Sequence, residues 1–258
     1  MILRKLWRLI PFRRTPAIDP MLWSKVLSSH PIFFGLPADA SERLKALSER
    51  FKADKQIEPA HDVTMTEEIA VTLASLACLP ILELGYEWYR GWHSIILERE
   101  NYDIDYEVRD SAGVIHSGHQ LVSGQVMPLG PVVLSVKDIS MSGRCSGYNV
   151  VVHEMAHVLD RLDRSIDGAP PLHPGMDPAA WQHAFKDAFN DLRQAQSELP
   201  GSRSLAINPY GATAPEEFFA VATEMFFETP RRLKRGYPAV YHQLSLFFRQ
   251  DPAQRLTV

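Results

Sequence analysis

Cysteine is scarce in this chain of 258 residues: only Cys78 and Cys145 occur, far apart and in no CxxC pair. That excludes a disulfide-stapled scaffold and leads us to expect two unpaired thiols in a reducing, cytoplasmic compartment. Also missing is any run approaching the roughly 20 apolar residues that a membrane-spanning helix needs, so no transmembrane segment is expected. Basic residues are not in excess. The 27 Lys and Arg stand against 31 Asp and Glu, a net charge of -4, which removes the electrostatic basis for direct nucleic-acid binding. The opening MILRKLWRLIPFRRTP is basic, but Arg4, Lys5 and Arg8 interrupt its apolar residues before a signal-peptide core can build. Residues 1–20 read as a basic arm, or as a first helix packing Leu3, Trp7 and Ile10; a short amphipathic contact with an anionic membrane is the alternative.

What is present is an ordinary globular composition, 45% apolar and 22% charged, and residues 1–258 are expected to form a single domain. Leu44, Leu47 and Phe51 recur at helical spacing over 41–51. Thr64 to Glu67 has the form of a capping box opening the apolar run 69–78. Short extended pieces follow at 94–97, 106–109 and 131–136. Helical patterns return around Trp181 to Leu192, Phe218 to Phe227 and Tyr241 to Phe248. The expected fold class is α+β, mainly helical with a small sheet.

His153-Glu154-Met155-Ala156-His157 is an HExxH sequence. On a helix of 3.6 residues per turn the two histidines lie about 40° apart, so their imidazoles converge on one ion. Val151, Met155, Val158 and Leu162 form an apolar stripe on the opposite side, and Asn149 or Ser146 can cap the start. A shuffled chain of this composition would contain about 0.02 such motifs, so the motif is suggestive by itself and context must decide. The alternative, two histidines hydrogen-bonded in the core, would bury two imidazoles and a carboxylate side by side.

A catalytic zinc takes three protein ligands and leaves one position for water. Downstream, Glu216 and Glu217 both lie within reach. Thr213-Ala-Pro-Glu216 has the form of a capping box, giving Glu216 a local task, whereas Glu217 shares a face with Val221 and Glu224. The metal set is therefore His153, His157 and Glu217, one zinc per chain, with Glu154 as the catalytic acid/base.

Taken together, Ala77 to Gly85, Tyr89-Arg-Gly-Trp92, GPVVLS from Gly130, HEMAHVLD from His153, and NPYGA followed by PEEFFAV resemble the Mlc titration factor A family. Val126 and Val136 stand where that family's tryptophans are expected. The resemblance implies a zincin-like fold related to the anthrax lethal factor catalytic domain, and hydrolysis of small peptides, including aminopeptidase-like cleavage. It also implies a partner, a glucose repressor of the Mlc type. A non-catalytic regulator-binding protein with a vestigial or structural zinc is the alternative. Tyr210, where the lethal-factor-like fold places a catalytic tyrosine, is the candidate oxyanion donor, or else its hydroxyl holds an Asn-Pro-Tyr-Gly turn. Asp160 either orients an imidazole or is an exposed or salt-bridged charge, and Glu224 either supports the site or accepts a structural hydrogen bond. His116 and His119 are read as part of a turn and Arg231 to Arg235 as a solvated helix face, with docking of an acidic partner as the alternative for the latter.

Overall fold

The computed structural model describes residues 17–60, 63–99, 102–109, 115–122, 124–126, 131–198 and 206–256, and of 102–126 it describes the backbone only. The expected arm and its Leu3, Trp7 and Ile10 lie outside the described residues. In chain order come α1 (Pro20–Ser29), α2 (Ala38–Asp54), β1 (Gln56–Pro59), α3 (Glu67–Cys78), β2 (Ser94–Glu98), β3 (Tyr102–Arg109) and β4 (Ile115–Val122). Next are β5 (Gly124–Val126), β6 (Val132–Ser135), α4 (Val136–Met141), α5 (Val150–Asp160), α6 (Pro178–Ser197), α7 (Pro215–Glu228), α8 (Pro230–Gly236), α9 (Pro238–Phe248) and α10 (Pro252–Arg255).

The sheet has the order β1-β2-β6-β5, with β1, β2 and β6 parallel and β5 antiparallel to β6. All four residues of β6 are buried, as expected of a central strand covered on both faces. Strands β3 and β4 pair separately as an antiparallel ribbon. His116 and His119 lie on β4, not in a turn.

Local chemistry moves several boundaries. The extended run ends at Ser135 because its hydroxyl accepts the Asp138 N–H at 2.9 Å and donates to Asp138 Oδ2 at 2.6 Å. That reciprocal cap starts α4 at Val136. Thr66, not Thr64, caps α3, accepting the Ile69 N–H at 3.2 Å. The box proposed at Thr213 does not form: Ala214 stands at the N-cap of α7, and the Thr213 hydroxyl donates backward to the Tyr210 carbonyl at 2.7 Å. Asn149 caps α5, its side chain accepting the Val152 N–H at 3.0 Å. The three valines that follow are all buried, which offsets their poor helix propensity. Leu162 lies beyond α5, in the short turn Arg161–Asp163.

An aromatic layer holds α7 in place. Trp181 and Phe185 of α6 stack with centroids 4.3 Å apart, and Phe185 meets Phe218 and Phe219 of α7 edge-on or tilted at 6.0 Å. Phe226 and Phe227 meet Phe248 of α9 at 5.6 and 5.1 Å. These α7 rings are almost wholly buried, each contributing roughly 1.5–3 kcal/mol of transfer free energy. The result is a rigid platform whose other face meets α5.

One glycine sets the approach of these two helices. Gly168, on the loop leaving α5, has φ +78°, and a Cβ added there would stand 2.6 Å from the Pro215 carbonyl oxygen at the start of α7. Both cysteines are free; Cys78 is buried and Cys145 partly so. Among the described residues no helix is long and apolar enough to cross a membrane.

Candidate metal centre

Helix α5 meets α7 along the side that carries its two histidines. His153 and His157 face α7 four residues apart, with Nε2 atoms separated by 3.2 Å. Glu217, on the first turn of α7, brings Oε2 to 3.1 Å from His153 Nε2 and 3.5 Å from His157 Nε2. Two nitrogens and one oxygen thus form a triangle suited to a metal ion. A tetrahedral ion bound at about 2.0–2.1 Å keeps its ligand atoms about 3.4 Å apart, and the observed sides span that value.

Glu154, next to His153 on α5, is buried, and its Oε2 makes no hydrogen bond among the described residues. Burial raises its pKa, while His153 and His157 pull the other way. Burial also works against ionisation of Glu217, but hydrogen bonds with both histidines bring it down to about 2. The carboxylate is thus deprotonated at neutral pH, as a ligand must be.

Glu224 fits both of its readings. Its Oε1 lies 2.7 Å from His153 Nδ1, and its Oε2 accepts the Asn149 N–H at 2.7 Å. A His153 that donates from Nδ1 keeps the Nε2 lone pair for the triangle. Asp160 fits neither of its readings. It is buried, its Oδ2 accepts the Gly168 N–H at 2.9 Å, and its Oδ1 has no hydrogen-bond partner among the described residues; neither has His157 Nδ1. Burial raises Asp160 to about 6, with the Gly168 N–H opposing. Its visible work is to fix the loop carrying Gly168.

Tyr210 sits in the short turn Pro209–Ala212 before α7, where its own N–H donates to Asn208 Oδ1 at 3.0 Å. Tyr210 enters the turn through its own N–H, not through its hydroxyl. The ring lies 6.1 Å from that of His153. Burial lifts the phenol to about 12, with the charges of Glu217 and Glu154 adding to it, so it is a hydrogen donor at neutral pH.

Glu228 was missed. Fully buried, it accepts from Gly143 N at 2.8 Å, Ser146 N at 3.0 Å and Asn149 Nδ2 at 2.8 Å. Burial raises its pKa to about 7 against the pull of these donors. The signal was in the spacing: Glu217, Glu224 and Glu228 fall on one stripe of an otherwise apolar helix. His116 and His119 add nothing here, since their side chains lie outside the description. Arg231, Arg232, Lys234 and Arg235 are exposed on α8, as a solvated face requires.

Two histidines and a carboxylate whose ligand atoms lie this close could hold a metal ion, the arrangement a metallopeptidase needs. The chain belongs to the family described as glucose-regulated metallo-peptidase M90, whose model matches residues 4–249. It is 37% identical over 235 residues to Mlc titration factor A of Salmonella arizonae, covering 91% of this chain and 93% of that protein. The protein of the same name from Edwardsiella ictaluri is 37% identical over 249 residues, 95% and 94% of the two chains. That of Enterobacter sp. is 36% identical over 241 residues, 93% and 90%.

Proposed function

We propose that this protein is a zinc-dependent peptidase, a single zincin-like domain acting in the cytoplasm, in which His153, His157 and Glu217 hold one ion. The carrying observation is the triangle of 3.1, 3.2 and 3.5 Å beside an unpartnered Glu154 carboxylate oxygen. The two free thiols support the compartment. Bound there, zinc lowers the pKa of a water from 15.7 towards about 7 and polarises the peptide carbonyl.

The remaining steps fall to the chain. Glu154 takes the proton of the attacking water and delivers it to the departing amine, a general base turned general acid. Its burial and raised pKa suit it to hold that proton between the two steps. Tyr210, whose ring lies 6.1 Å from that of His153, donates its hydroxyl to the carbonyl oxygen as charge develops there. Glu224 keeps His153 in the tautomer whose Nε2 is free to ligate.

The test is a purified protein assayed for bound metal and for hydrolysis of chromogenic peptides, aminopeptidase substrates included, with and without chelator. Zinc near one per chain and chelator-sensitive turnover are expected. Glu154→Gln should keep the zinc and lose nearly all turnover, because an amide cannot shuttle protons. Undiminished hydrolysis by that variant would sink the mechanism.

The names of the relatives favour a second role, binding of an Mlc-type glucose repressor. Co-purification with such a repressor, repeated with Glu154→Gln, separates capture from catalysis.

A further inference from the structure

Beyond the C-terminal end of α5 lies a cavity of about 600 Å³, formed where the chain enters β2 and β6. Its lining includes Arg90, Trp92 and His93 from one side and Val158, Arg161 and Arg164 from the other, and no acidic residue lines it among the described residues. In a chain of net charge -4, three guanidinium groups around one cavity run against the overall balance. Neighbouring like charges cost free energy unless something offsets them.

Two of the three have an ordinary explanation. Arg161 and Arg164 follow the C-terminus of α5, where cations complement the helix dipole. Arg90 has none: it comes from the turn before β2, is exposed, and like Arg164 makes no salt bridge or side-chain hydrogen bond among the described residues. Its segment is firmly held. Buried Lys55 donates to the carbonyls of Tyr89 and Trp92, both at 2.8 Å, and lies 4.6 Å over the Trp92 ring. Arg164 itself has φ +76°, a conformation in which Gly or Asn costs least. The buried Trp92 Nε1–H has no acceptor among the described residues. At the mouth, a Cβ added to Gly91 would meet nothing within 4 Å.

Arg161 brings one side of the cavity towards the reacting centre, while Val158 and Leu162, on the stripe away from the histidines, line another part of it. Arg161 lies four residues past His157 and seven past Glu154, one and two helical turns along the same face, or roughly 6 Å beyond His157 along the axis. An extended peptide advances about 3.3 Å per residue. A group two or three residues from the cleaved bond would therefore reach the cavity.

We propose that this cavity is an anion subsite which receives a carboxylate of the peptide substrate, from an acidic side chain or a free C-terminus, on Arg90 and Arg164. The assignment of the carboxylate to a substrate rests on the peptidase reading. Arginine suits the task because its planar fork pairs with a carboxylate through two parallel hydrogen bonds.

The test uses zinc-loaded Glu154→Gln, which binds without turning over, and three fluorescent peptides of one neutral frame. One carries a central Glu and a C-terminal amide, one a central Gln and a free C-terminus, and one a central Gln and an amide. At least one carboxylate peptide should bind about tenfold more tightly than the neutral peptide, the order expected of a charge-assisted, two-point contact. The peptide that gains identifies the source of the carboxylate. Adding Arg90→Glu and Arg164→Glu should erase the margin and leave the affinity of the neutral peptide unchanged, and Arg90→Gln alone should reduce it. Equal binding of the three peptides, measurable binding of none, or a margin that survives charge reversal would overturn the subsite. Hydrolysis by the native protein is scored separately. No margin with hydrolysis intact sinks the subsite alone, whereas a margin without hydrolysis sinks the peptidase reading and leaves the anion site standing.

Discussion

One carboxylate joins the first histidine of the HExxH helix to the cap of that helix: Glu224 meets His153 Nδ1 and the Asn149 N–H, each at 2.7 Å. Orientation of the imidazole and position of the helix start are therefore one property of the molecule. Replacing Glu224 with Ala should weaken zinc binding by about 10–100-fold while the three proposed ligands remain. Competition against a calibrated chelator measures this, and unchanged affinity would show that the hydrogen bond is structural only.

The adjacent carboxylates of α7 should behave differently. Glu217→Ala is expected to lose zinc and all hydrolysis. Glu216→Ala should cost only about 0.3–1 kcal/mol, the favourable placement of a negative charge in the first turn of a helix, and should keep its metal. Zinc content and urea midpoints of both purified variants check the pair. Full occupancy in Glu217→Ala would mean that the ligand is misassigned.

Tyr210→Phe removes a donor without disturbing the turn, since Tyr210 enters the turn's hydrogen bonds only through its own N–H and carbonyl. Turnover should fall by roughly 10² with little change in KM. A rate equal to that of the native protein would return Tyr210 to the role of a ring packed near His153.

The metal-free protein should be acid-sensitive in a defined window. Glu217 is held at about 2 against an ordinary 4.5, and a carboxylate depressed in the folded state adds stability that is fully present above its unfolded pKa. That stability drains away as pH falls from about 4.5 through about 2. In chelator, the native chain should lose up to roughly 3 kcal/mol across this range that Glu217→Gln does not lose. Denaturant titrations at several pH values decide it, and parallel curves for the two proteins would refute it.

The metal triangle could be read from the sequence because each part obeys a helical period: His153 and His157 at i, i+4, and Glu217 on the face that also carries Glu224. What surrounds the triangle could not. Glu228 reaches Gly143 and Ser146, and Asp160 reaches Gly168, through loops whose course no periodicity encodes. Arg90 meets Arg164 across a cavity for the same reason. Element ends were misjudged where a short-range cap competes with propensity: Ser135 turns a β-favouring run into α4, and Ala214 displaces the box expected at Thr213.

Gly168 has a consequence of its own. Its Cα lies against the carbonyl of Pro215, two residues before Glu217, while its N–H is held by Asp160, three residues after His157. The gauge of the metal triangle is thus set by a residue with no chemistry. One added methyl at Gly168 would have to push the backbone at 2.6 Å aside and adopt φ +78°, spreading the two nitrogens and the oxygen of the proposed ligand set. A side chain of a single hydrogen is a spacer, and its thinness sets how near α5 and α7 can come.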